Sequence, residues 1–197
     1  SVAVVDNDRI LAELIQDSGE THAKHLMEMI QESLDQAHLS LGDLDGFAVT
    51  TGPGTFTGLR IGISSIKGLA AAGSRPVAGI SSLETLAMQA PRFSGLICPM
   101  LDARRGEVYA AGYRREKGSL MAHGPDRVAS LEKAICHINE PTLFLGTGAE
   151  LHRAAIRTFL GDMAYFPPPG DHRIRASTVA FLGLKRLRAG EASDAGS

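Results

Sequence analysis

The residues best equipped for chemistry are gathered in Gly52-Pro53-Gly54-Thr55-Phe56-Thr57-Gly58-Leu59-Arg60-Ile61-Gly62. At a strand-to-helix turn such glycines let backbone N–H groups converge on an anion, and Arg60 would add a fixed charge from the first helical turn. Details weaken a phosphate reading. A Walker loop ends in Gly-Lys-Ser/Thr, whereas this loop continues Thr57-Gly58-Leu59-Arg60; Gly52, Gly54 and Gly58 miss the dinucleotide spacing, and Pro53 removes a donor. Two other readings use the same residues. One is a tight corner with Thr55 or Thr57 capping the helix. The other is a helix built for contact, in which Gly58, Gly62, Ser65 and Leu69 form a face that lets another helix come close. The residues favour the corner first, helix contact second and phosphate third.

A second glycine corner, Gly146-Thr147-Gly148, follows an apolar run at residues 142–145. A single Gly-x-Gly is weak evidence of a ligand, because any strand-to-helix corner uses glycine. Asp102, Arg104, Arg105 and Glu107 bunch four charges at one turn, either facing a ligand or pairing locally as a solvated hairpin. His22 and His25 sit three apart beside Met29, but zinc on a helix favours His at i and i+4 around an acid, and no metal site is expected. Gly52, Gly54, Thr55, Gly146 and Gly148 remain the candidates for a cofactor; none is expected to hold one, and no catalytic set assembles.

The elements that position these residues follow from periodicity. Residues 1–5 and 9–15 read as a hairpin, 20–38 as a helix with Leu26, Ile30, Leu34 and Ala37 on one stripe, and 44–49 as a strand leading into the first corner. Residues 77–80 read as a strand and 81–90 as a helix opened by a Ser81/Glu84 capping box. Strands follow at 95–101 and 107–113, a short strand and helix within 125–137, a helix at 149–160 and a last helix at 175–188. Strands precede helices in each half, which argues an α/β fold from a duplicated unit. The bulk numbers agree: 197 residues, 44% hydrophobic and a net charge of −2 allow one domain or two small lobes and do not suggest a chain that holds nucleic acid by itself. Cys98 and Cys136 form no framework, and no apolar run is long enough to span a bilayer; the expectation is a cytoplasmic chain without membrane contact.

The Phe-Thr-Gly-x-Arg block at residues 56–60, together with Asp102-Ala103-Arg104-Arg105-Gly106-Glu107-Val108-Tyr109 and Leu145-Gly146-Thr147-Gly148-Ala149 in the same order, resembles the TsaB (YeaZ) family. The resemblance covers about residues 1–189. It implies a two-lobed actin-like fold (ASKHA, ribonuclease H-like) with mixed sheets flanked by helices. The first lobe would span residues 1–94, rejoined by the helix at 176–189, the second lobe 95–175, and residues 190–197 would be a disordered tail. The family pattern also begins one strand earlier, so a native start upstream of Ser1 is expected.

The same resemblance implies a non-catalytic scaffold that pairs with a TsaD-type subunit, the transferase of threonylcarbamoyladenosine formation in tRNA. A homodimer when alone, a TsaE-type ATPase reached through the complex, and tRNA contact through the complex are implied with it. Alternatives are a weak nucleotide-binding ATPase-like protein and a glycoprotease-like metallopeptidase. The implied partner face comprises His22, Met29, Gly58, Gly62, Ser65 and Leu69.

Overall fold

The computed structural model describes residues 1–16 and 25–191, and it divides into one unit of Ser1–Ser82 with the C-terminal stretch from Arg175, and another of Leu83–Ile174. In the first unit β1 (Val2–Asp6) and β2 (Arg9–Leu14) form the expected antiparallel hairpin. Its turn uses Asn7 at φ 53°, a left-handed conformation that Asn tolerates among L-residues. β3 (Phe47–Gly52) and β4 (Val77–Ser81) pair in parallel, with Phe47 opposite Val77. A parallel pair needs a crossover. Here it is α2 (Phe56–Gly73).

Among the described residues β1 pairs with β2 alone and β3 with β4 alone, so each keeps an edge without a strand partner there. Helices cover these small sheets. α1 (Leu26–Ala37) lies on β1 and β2 and buries Met29, Ser33 and Leu34. α7 (Ala176–Arg188) lies on β1, β3 and β4. Gly183 permits this approach, since a Cβ there would stand 2.3 Å from that of Ala48.

In the second unit β5 (Leu96–Arg104) is central and buried from Leu96 to Leu101, as a strand covered on both faces must be. It runs parallel to β10 (Thr142–Leu145), which pairs in parallel with β11 (Ala164–Tyr165). On its other side β5 pairs antiparallel with β6 (Glu107–Ala110), and β6 with β9 (Arg127–Ser130). A hairpin of β7 (Tyr113–Glu116) and β8 (Ser119–Ala122) joins β5 through Tyr113 opposite Ile97. The helices are α3 (Ser82–Gln89), α4 (Leu131–Ile135), α5 (Thr147–Leu151) and α6 (Arg153–Leu160).

Three sequence expectations change. The unit boundary falls after Ser82 rather than near Ser94, because Leu83, Leu86, Ala87 and Ala90 of the α3 segment share a core with Ile97, Leu101 and Leu145. The strand expected at 107–113 is two strands, broken where Gly112 accepts a hydrogen bond from His123 N–H at 2.7 Å and a Cβ would meet the His123 carbonyl at 2.8 Å. The helix expected at 149–160 is likewise two, divided at His152. The first part of the helix expected at 20–38, and most of the tail expected to be disordered at 190–197, lie outside the described residues.

Candidate helix-docking face and glycine corners

The first corner is closed by its own side chains. Gly52 ends β3 at φ 120°, a left-handed value that penalises any Cβ, and pairing with β4 slips between Thr50 and Gly52. Leu59 folds back over the turn, lying 3.4 Å from where a Cβ on Gly52 would stand and 3.6 Å from one on Gly54. Thr55 occupies the N-cap of α2 and its carbonyl accepts from Leu59 N–H at 2.9 Å, but its side chain makes no capping bond. That corrects the expected hydroxyl cap. The Thr55 hydroxyl instead sits over Gly58, where a Cβ would come within 2.7 Å of it. Arg60 stacks at 3.8 Å on the ring of Phe56, which is 68% exposed, so its guanidinium covers a neighbour on its own helix.

Helix geometry assigns the faces of α2. Ala70 is fully buried with Phe47 and Val77, and Ile66 and Leu69 pack against the same cluster. Gly62 also leans toward the sheet, 3.8 Å separating its notional Cβ from Val49. Opposite this side, Thr57, Ile61, Ser64, Gly68 and Ala72 fall on one stripe at spacings of four, three, four and four. All but half-buried Ile61 are exposed. A Cβ on Gly68 would meet nothing within 4 Å.

The expected partner face therefore divides. Gly58 is exposed and Ser65 half-buried beside the open stripe, whereas Gly62 and Leu69 turn toward the core. Met29 is 8% exposed and belongs to the core of its unit, not to an open face. The buried side of α1 runs through Met29, Ser33 and Leu34, with Leu26, Ile30 and Ala37 of the expected stripe half-buried along it, and Glu28, Gln31, Glu32, Asp35 and Gln36 face outward. His25 Nδ1 lies 2.9 Å from Glu28 Oε2. His22 is outside the described residues. Among the described residues, no group of three or more His, Cys, Asp or Glu side chains is placed to hold a metal.

The second corner is packed from within. Gly146 has φ 102°, and a Cβ on it would stand 2.2 Å from the Met100 carbonyl oxygen; one on Gly148 would stand 2.8 Å from the Leu101 carbonyl carbon. Both glycines let α5 press directly on β5. The Gly146 N–H is already committed, donating to Nδ1 of fully buried His172 at 3.1 Å, while Arg153 lies 3.3 Å from the other ring nitrogen. Nothing in the sequence pattern marked His172, which follows a proline-rich connector. Asp102 accepts from the Arg104 backbone N–H at 2.8 Å and lies 3.9 Å from its guanidinium, so this part of the charge cluster pairs locally. Arg105 and Glu107 are exposed.

Residues 10–193 match the family model described as TsaD, tRNA N6-adenosine threonylcarbamoyltransferase. The chain is 35% identical over 188 residues to the tRNA threonylcarbamoyladenosine biosynthesis protein TsaB of Bacillus subtilis strain 168, covering 94% of this chain and 82% of that protein. It is 39% identical over 118 residues to TsaB of Escherichia coli strain K12, covering 59% of this chain and 51% of that protein. Among solved structures, YeaZ from Pseudomonas aeruginosa superposes with a TM-score of 0.81 at 27% identity over 99% of this chain and 90% of that one.

Proposed function

The chain belongs to the TsaB (YeaZ) family, and from that membership we propose that it serves threonylcarbamoyladenosine formation in tRNA as a helix-docking subunit, pairing with a TsaD-type transferase without carrying out the transfer itself. Its mixed α/β architecture is the actin-like fold of that family. The observation that carries the docking role is α2: eighteen residues, rich in apolar and small side chains, of which Ala70 alone is buried. A stripe of Thr57, Ser64, Gly68 and Ala72 allows a second helix to approach closely and bury backbone as well as side chains, as in helix bundles. The outward side of α1 is different in kind. Glu28, Glu32 and Asp35 there suit a partner surface bearing Lys or Arg.

In this reading the same stripe serves a second copy of the chain when the partner is absent, giving a homodimer. A TsaE-type ATPase and tRNA are reached through the complex, in the cytoplasm. No helix among the described residues is long and apolar enough to cross a membrane. A nucleotide-binding reading draws less support, since Leu59 fills the first glycine corner and β5 closes on the second.

The test is to mix the protein with the TsaD-type subunit of the same organism and measure the mass of the complex by light scattering. A one-to-one assembly or a multiple of it is expected. Gly68→Arg places a long charged side chain on the open stripe, and should abolish association while leaving the isolated fold intact. No association of the unaltered pair at micromolar concentration would defeat the docking role.

A further inference from the structure

The second unit contains a cavity of about 180 Å³ that the docking stripe does not use. Its floor is apolar and made of small or compact side chains, among them Cys98 on β5 and Ala110 on β6. Its polar wall comes from Arg127 on β9 and from His137 and Glu140 between α4 and β10. Glu140, the one acidic lining residue, is already bonded to Arg114. Arg127 has no such counter-charge among the described residues. Its recorded polar partner is His137 Nε2, at 3.5 Å, the outer limit of a hydrogen bond.

A guanidinium has five N–H donors and no acceptor, so most of those of Arg127 remain uncommitted. Because the guanidinium can only donate, Nε2 of His137 serves that contact as an acceptor and satisfies at most one of the five donors. The half-buried Arg127 thus stands in the wall of a cavity whose one carboxylate is bonded to Arg114, leaving its own guanidinium without an oxyanion among the described residues, a place that a bound one would fill.

We propose that this cavity binds a small ligand bearing a carboxylate or phosphate, with Arg127 holding the oxyanion and the Cys98–Ala110 floor accepting a short apolar portion. The fork of Arg127 suits two oxygens at once, which favours these groups over a halide. The site lies wholly within the second unit, and its assignment does not depend on the pairing proposed for α2.

Thermal unfolding and calorimetric titration of the full chain test it, with inorganic phosphate and butyrate as separate probes, each against sodium chloride of equal ionic strength. Binding to the folded state raises the melting temperature by mass action. At least one probe should raise it beyond chloride, and Arg127→Gln should weaken that probe's binding by about tenfold or more. A response to phosphate alone identifies a phosphate ligand, and one to butyrate alone a carboxylate with an apolar tail. Should Arg127→Gln fail to fold, His137→Asn, altered at an exposed ring, should weaken the same probe. No response to either probe overturns the proposal, as does a response that survives substitution undiminished.

Discussion

The Glu13 carboxylate on β2 accepts from the backbone N–H of Ser177 at 2.9 Å and from its hydroxyl at 2.7 Å, joining the hairpin to the first turn of α7 across 164 positions of chain. Arg175 donates to the other carboxylate oxygen at 2.8 Å. The Glu13 side chain is 8% exposed. α7 has no side-chain cap from its own N-cap residue, so this carboxylate supplies an acceptor and a favourable negative charge at the helix N-terminus. Glu13→Gln should therefore cost about 2 kcal/mol in urea unfolding at neutral pH, the range for a hydrogen-bonded charged group. An unchanged midpoint would mean that α7 is held by packing alone.

The same group sets a dependence on pH. Burial raises the Glu13 pKa, but the bonds from the Ser177 backbone and hydroxyl and from Arg175 outweigh it and hold the carboxyl below its ordinary value. A depressed folded pKa stabilises fully above the unfolded value of about 4.3, and the benefit is lost as pH falls through the folded one. The stability advantage over Glu13→Gln should stay constant from about pH 7 to 5 and shrink below about pH 4. Acid titration of both proteins by circular dichroism measures it.

Neighbouring positions on α2 should respond oppositely. Gly68→Ala adds a methyl group in open space and should stabilise the isolated chain by about 0.5–1 kcal/mol. Leu69→Asp puts a charge against Phe47, Ala70 and Val77 and should destabilise it by about 2–4 kcal/mol. Thermal melts of the isolated chain separate the two. A Leu69→Asp protein as stable as the parent would place Leu69 back on the outer face.

The second corner gives a contrast between two glycines that both have positive φ. Gly146 and Gly106 have φ of 102° and 79°, but a Cβ on Gly146 meets Met100 and one on Gly106 meets nothing. Gly146→Ala should cost about 3 kcal/mol or more, and Gly106→Ala about 1 kcal/mol. Denaturant titrations of the two variants decide whether Gly146 is retained for packing.

The cysteines should differ in reactivity. Burial pushes the Cys98 thiol up to about 12, only partly offset by Arg127, whereas Cys136 is exposed. Iodoacetamide at pH 8 should modify one thiol in the folded chain and two after denaturation, counted by mass spectrometry. Rapid modification of Cys98 in the folded protein would show that the cavity floor opens to solvent.

Much of this protein was legible in its sequence because the signals are local. The glycine run at residues 52–62 fixed a strand, a corner and a helix, since few residues besides glycine adopt the backbone angle found at Gly52. The final helix was readable from its apolar periodicity, and the resemblance of the three motifs reached the family that the comparisons support. What escaped depends on residues far apart in the chain. Local periodicity could not show that Leu69 and Gly62 turn toward the sheet while Ser64 and Gly68 stay open, because the position of β3 and β4 beneath α2 decides that. Nor could it show that Glu13 caps a helix that begins at Ala176, or that β5 closes on Gly146 and Gly148. The sequence determined which segments become strands, corners and helices, through angles and spacings each residue carries with it. Only the tertiary structure decided which helix face is free and which glycine is filled, because those follow from what folds against them.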